Sequence, residues 1–191
     1  RVGGTAVEEY VKVVNDSTIE GWMKCTPDGG GWGNGEGKPN YTVYFYAQFS
    51  KPLRNFGVWR VPIPDSLDRH RETIESEAFQ RLTANAEILE GCREQQGKHL
   101  GFYTEFPTKA GEKVYLKTGI SFVNIEGARA NLDADIKGWD FDGVKAATHQ
   151  LWNDVLGKVR IEDGTEDQKT VFYTALYHTM IDPRAFSDVN G

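Results

Sequence analysis

The apolar residues of this chain change their repeat once, near residue 123, and that single change limits what the chain can fold into. Before it, Tyr41, Val43, Phe45, Ala47 and Phe49 alternate with Thr42, Tyr44, Tyr46, Gln48 and Ser50, a period of two that sends each set to its own face of a sheet. Weaker alternation runs through Ile19–Cys25, Leu82–Ile88, Leu100–Phe106 and Val114–Phe122. Clusters of Gly, Pro, Asn and Asp at 27–40, 62–65 and 107–111 separate these runs, as in antiparallel strands joined by surface loops. So many half-buried strands need cover on two faces, and packed sheets supply it.

After residue 123 the spacing becomes three and four. Ile125, Ala128, Leu132 and Ile136 predict one helix, and Val144, Leu151, Trp152 and Val155 predict a second, capped by Asp140 and stopped at Gly157. A third helix begins at a Thr165-x-x-Gln168 capping box, carries Val171, Phe172, Ala175, Leu176 and Thr179 on one face, and ends before Pro183. Strands followed only by helices exclude a βαβ fold. The expected fold class is therefore mainly β with C-terminal helices: a sandwich over 1–123, a helical linker over 124–160, and the opening of a helical domain over 161–191.

Composition removes several functions. A net charge of -6 with pI about 5.3 gives no general attraction to nucleic-acid phosphates or anionic lipid, so no nucleic-acid partner is expected. No apolar run approaches the roughly 20 residues of a membrane-spanning helix. Two cysteines, Cys25 and Cys92, allow one disulfide without establishing it. The chain opens at Arg1 and closes at Gly191 after a turn signal, which leads us to expect a longer parent.

Local motifs are mostly explained by structure. The Gly29–Gly37 stretch resembles a phosphate loop, but Lys38 precedes Pro39 and a strand follows in place of a helix; a surface loop carrying Trp32 fits better. Asp133/Asp135 and Asp140/Asp142 point apart if helical, so they read as caps and solvated acids rather than as a glycosidase pair. The four histidines have no metal-ligand spacing; His178 stands beside Tyr177, with Tyr173 and Arg184 nearby in sequence, where a helix C-terminus also favours its cation. Asp188-Val-Asn190-Gly191 looks like the middle of a calcium loop, but Phe186 occupies the preceding ligand position. On local sequence alone it is a polar turn.

The run from Thr165 to Gly191, which includes Phe-Tyr-Thr-Ala-Leu-Tyr-His and Asp-Pro-Arg-Ala-Phe-Ser-Asp-Val-Asn-Gly, is similar to a signature stretch of glycoside hydrolase family 92, the calcium-dependent exo-acting α-mannosidases. Tyr41-Thr-Val-Tyr-Phe, Tyr115-Leu-Lys-Thr-Gly-Ile-Ser-Phe-Val, Ala128-Arg-Ala-Asn-Leu and Gly138-Trp-Asp-Phe-Asp resemble the same family's N-terminal sandwich and connector. The resemblance covers residues 10 to 191. It implies a β-sandwich, linking helices and the first helix of an (α/α)6 barrel, with a mannose-containing glycan bound between sandwich and barrel, Ca²⁺ as cofactor, and a secreted or periplasmic location.

Carried over position by position, the resemblance makes Asp188 a ligand of hydroxyls on the terminal mannose. Asn190 stands where the family more often has Asp, which removes a charge but keeps hydrogen bonding. Arg184 is expected to hold the loop, by pairing with Asp188, or to touch sugar, and His178 is a further substrate-site candidate. The implied reaction is inverting hydrolysis of α-linked mannose, expected to be α-1,2-linked, by an acid and a base. That acid, that base and most calcium ligands would lie beyond Gly191, in the missing barrel of the same parent. The 191-residue piece is thus expected to be inactive by itself. Two alternatives remain: a carbohydrate-binding sandwich using Trp22, Trp32, Tyr44 and Tyr46 as stacking surfaces, and a purely structural sandwich that braces a barrel.

Overall fold

Strand β3 illustrates why the first half folds as it does. Its alternation gives one face to Phe45, Ala47 and Phe49 and the other to Tyr44 and Tyr46, and both faces are covered by separate clusters. A computed structural model describes residues 5–26, 40–62, 77–181 and 187–190. In chain order its elements are β1 (Thr5–Val13), β2 (Thr18–Thr26), β3 (Tyr41–Phe49), β4 (Arg54–Arg60), α1 (Glu77–Ala84), β5 (Glu87–Glu90), β6 (Glu94–Gly97), β7 (Leu100–Glu105), β8 (Leu116–Ser121), α2 (Ile125–Asp135), α3 (Phe141–Leu156) and α4 (Glu166–Thr179).

Among the described residues the strands form two antiparallel sheets, ordered β6-β1-β2-β3-β8 and β5-β4-β7. Val13, Ile19, Ala47 and Leu53 are buried between them, with Phe45, Phe49, Phe56, Phe102 and Phe106 packed around. The ring centroids of Phe49 and Phe106 lie 5.4 Å apart. This is the sandwich expected from the alternating pattern.

The outer face of the five-stranded sheet is covered at one end by α2. Tyr46, Ala128 and Leu132 are buried together, flanked by Tyr44, Ile125 and Ile136. The approach requires glycine at Gly119 of β8, because a Cβ there would overlap the Ala128 carbonyl and stand 2.7 Å from the Leu132 Cβ. Tyr46, in consequence, is only 6% exposed and offers no ring for stacking on a sugar. Trp22 and Tyr44 are half-buried within their strands; Trp32 lies outside the described residues.

The chain divides into two compact units, Arg1–Lys137 with Asp188–Gly191, and Gly138–Ser187. The second contains α3 and α4. The Asp140 carboxylate accepts from the Gly143 N–H at 2.9 Å and caps α3. Thr165 and Gln168 make the reciprocal capping box of α4, at 3.2 and 2.9 Å. Trp152 meets Tyr177 edge to face at 4.6 Å, yet neither helix buries a residue.

The alternation expected as a strand over Leu82–Ile88 is not one element. Residues up to Ala84 continue α1, supported by an Arg81–Glu77 pair one turn apart at 2.8 Å and by Asn85 donating to the Arg81 carbonyl; the strand begins only at Glu87. Good helix formers such as Glu, Ala, Gln, Arg and Leu outweigh a short alternation. Cys25 and Cys92 are both free thiols.

Candidate functional site

Three segments that are distant in sequence meet where β8 ends and α2 begins. Ser121 closes β8 opposite Tyr44 and is 2% exposed. Its hydroxyl donates to Asp188 Oδ2 at 2.7 Å while accepting from the Val123 N–H at 2.9 Å and the Asn124 N–H at 3.4 Å. That uses the full capacity of a hydroxyl, one donor and two acceptors.

The next residues turn the chain into α2. Asn124 is the N-cap: its side-chain oxygen accepts from the Gly127 N–H at 2.7 Å and satisfies a donor that the first helical turn leaves free. Two turns on from this cap, Asn131 donates from Nδ2 to the Ile120 carbonyl and to Asp188 Oδ1, both at 2.8 Å, and its Oδ1 accepts from the Val189 N–H at 2.9 Å. Gly127 lies one turn before Asn131 and leaves room for the carboxylate. A Cβ at this position would overlap Asp188 Oδ2 and come within 2.9 Å of Ser121 Oγ.

Asp188 is therefore a half-buried carboxylate gripped by two neutral donors, one on each oxygen. A carboxylate has about four acceptor directions; Ser121 and Asn131 occupy two. Among the described residues Asp188 makes no ion pair, and a hydroxyl and an amide donate to it. What remains available on it can accept hydrogen bonds from a ligand's O–H groups.

The other residues singled out in the sequence are placed as follows. Asn190 is exposed, two residues past the clasp in the same unit. His178 is exposed in the last turn of α4, in the second unit, with its ring centroid 5.8 Å from that of Tyr177. Arg184, expected to pair with Asp188, falls outside the described residues. Asp133 lies 3.7 Å from Arg129 one turn away, and Asp140 is the cap of α3, so each has a structural task. Sequence reasoning did not find Ser121, Gly127 or Asn131. One signal was present: an Asn in a helix interior is unfavourable unless its side chain has a partner.

Calcium requires six to eight oxygen ligands. Among the described residues no group of three or more His, Cys, Asp or Glu side chains could hold a metal, and each Asp188 oxygen already accepts from a protein donor. These residues do not fit a calcium site, and no chemistry here is routed through one.

Comparison with known proteins agrees with the architecture. The model of the glycosyl hydrolase family 92 N-terminal domain matches residues 3–121, and that of the family 92 catalytic domain matches residues 127–191. The structure of a family GH92 alpha-mannosidase from Bacteroides thetaiotaomicron superimposes with a TM-score of 0.72 at 29% identity, over 98% of this chain and 21% of that one. A family GH92 inverting mannosidase from Bacteroides thetaiotaomicron VPI-5482 shares the fold, with a TM-score of 0.70 at 22% identity over 94% of this chain and 20% of the other. An uncharacterized secreted glycosidase of Arthroderma benhamiae is 28% identical over 96 residues, which is 47% of this chain and 12% of that protein. The chain thus spans about a fifth or less of the length of these relatives.

Proposed function

Because the chain belongs to glycosyl hydrolase family 92, we propose that the protein carrying it releases terminal α-linked mannose, α-1,2-linked for preference, from glycans by an inverting mechanism. Asp188 is the substrate contact that these residues contribute. Its half-buried, doubly held carboxylate is the observation that carries the reading. A pyranoside hydroxyl that donates to a fixed carboxylate replaces a hydrogen bond to water with a charge-assisted one, and little side-chain freedom is left to lose on binding.

Inversion needs one carboxylic acid to protonate the leaving oxygen and one carboxylate to activate water on the opposite face. Of the described carboxylates near these helices, Asp133 lies against Arg129 and Asp140 caps α3; we assign the acid and the base to residues of a barrel outside this chain. Ca²⁺, where it takes part, is likewise held by other residues. The exposed apolar side chains of α3 and α4, among them Phe141, Val144, Leu151 and Val171, fit cover by further helices of such a barrel. The likeness to the Bacteroides thetaiotaomicron mannosidases and to the secreted glycosidase of Arthroderma benhamiae supports the substrate class and a secreted or periplasmic location.

Incubation of the intact protein with α-1,2-mannobiose, followed by NMR, tests the reading. Release of mannose that first appears as the β-anomer is expected, and the 191-residue chain alone should give no turnover. Absence of mannose release by the intact protein refutes the proposed activity. Turnover by the isolated chain refutes the assignment of acid and base to residues outside it.

A further inference from the structure

We infer that Ser121 and Asn131 are positioning residues for Asp188, so that the sandwich and its first helix set the direction in which the sugar-binding carboxylate points; this rests on the reading of Asp188 as a mannose contact. The two donors come from different elements, β8 and α2, and each takes a different oxygen, at 2.7 and 2.8 Å. A carboxylate held by one donor can swing about its last torsion. Held on both oxygens, it cannot.

The donors are themselves fixed. Ser121 is buried at 2% exposure and tied to the Val123 and Asn124 amides. Asn131 is tied to the Ile120 carbonyl and receives the Val189 N–H. The amide orientation of Asn131 is set by this pattern, since its oxygen meets a donor and its nitrogen meets two acceptors. Asp188 and Val189 are thus both bound to one side chain of α2, and the segment that presents the carboxylate is fastened to the helix that aims it. Preorganisation of this kind lowers the ordering cost when a ligand's hydroxyls arrive.

The test uses the intact protein and two readouts, kcat/KM for an α-mannoside and hydrogen exchange of the Val189 amide. Ser121→Ala and Asn131→Ala should each lower kcat/KM by about fivefold to thirtyfold, because a free torsion dilutes the productive carboxylate orientation. Asn131→Ala should also speed Val189 exchange. Ser121→Cys, a near-isosteric weak donor, should fall between Ser121→Ala and the unaltered protein, and serves where the alanine variant does not fold.

The decisive variant exchanges the two groups, Asn131→Asp with Asp188→Asn. Asn131→Asp still accepts from the Val189 N–H and from the Asp188→Asn amide, and Asp188→Asn still accepts from Ser121, but the Ile120 carbonyl loses the donor it has in Asn131 and faces a carboxylate oxygen in its place. Val189 should stay better protected than in Asn131→Ala while kcat/KM drops at least as far as it does for Asp188→Asn alone, because the carboxylate now sits where the sugar is not. If Ser121→Ala and Asn131→Ala leave kcat/KM within about twofold while Asp188→Asn lowers it, the positioning role is wrong and the sugar contact stands. If the exchange variant, or Asp188→Asn itself, retains full kcat/KM, the sugar contact is wrong, and the positioning role falls with it.

Discussion

At Gly127 the helix and the carboxylate make opposite demands. Gly127 is the third residue of α2, where alanine gains over glycine at most the roughly 0.8–1.0 kcal/mol of a helix interior. The new Cβ, however, would overlap Asp188 Oδ2 and stand 2.9 Å from Ser121 Oγ, closer than real Cβ contacts come. The short Asp188 side chain yields first and leaves Ser121. A hydrogen bond to a charged group contributes about 1.5–3 kcal/mol, so Gly127→Ala should destabilise by a net of about 0.5–2 kcal/mol. In an Asp188→Ala background the obstructing oxygen is gone, and the 2.9 Å approach to Ser121 Oγ is relieved by a small shift that keeps its bonds to the Val123 and Asn124 N–H groups. The same substitution should then stabilise by up to about 1 kcal/mol. Urea unfolding of the four proteins, followed by the fluorescence of the sandwich tryptophans Trp22 and Trp59, gives the double-mutant cycle. A coupling of about 1.5–3 kcal/mol with a change of sign is expected. Equal effects in both backgrounds, within about 0.5 kcal/mol, would refute the claim that Asp188 fills the space over Gly127.

Other perturbations test other parts of the account. Leu132→Ala removes a side chain that is 1% exposed beneath the outer sheet face, and should cost about 2–5 kcal/mol in the same urea assay; a loss under 1 kcal/mol contradicts the packing of α2 on β3 and β8. Thr165→Ala deletes half of the α4 capping box and should cost about 1 kcal/mol of helix stability, read as increased exchange of the Gln168 amide. Burial, followed by the hydrogen bond to Glu94, pushes the Tyr10 hydroxyl up to about 12. A raised folded value means that its contribution to stability is complete below the ordinary tyrosine value near 10 and is lost as pH rises towards 12. Tyr10→Phe should flatten that part of the alkaline stability curve, and an unchanged curve contradicts the assignment.

Much of the architecture was legible because it rests on local periods. The alternation of β3, the spacing of Ile125, Ala128 and Leu132, and the caps at Asp140 and Thr165 are all carried by residues within a turn or a strand of one another. Strands β1, β4 and β6 went unseen for identifiable reasons; β1 has a register shift between Ala6 and Glu8 that interrupts its alternation. β4 has a register shift between Arg54 and Gly57, with Asn55 at φ +40°, which breaks its alternation, and β6 is the polar edge strand Glu-Gln-Gln-Gly. The Leu82–Ile88 alternation misled because a few residues of period two also fit a helix end followed by a strand start.

The candidate site divides in the same way. Asp188 was legible because its neighbours in sequence form a motif. Its partners were not, because Asn131 and Ser121 lie 57 and 67 residues away, and no local period encodes a contact of that span. The local reading of Asp188 as a turn residue bonded to its own backbone gave way to one in which both oxygens reach across to β8 and α2.

A structure of the intact protein with mannoimidazole, the ligand bound by one of the Bacteroides thetaiotaomicron relatives, tests the central claim most directly. One or both Asp188 oxygens should lie about 2.5–3.0 Å from ligand hydroxyls while still accepting from Ser121 and Asn131. A ligand bound with Asp188 bonded to Ser121 and Asn131 alone, and out of reach of every hydroxyl, would contradict it.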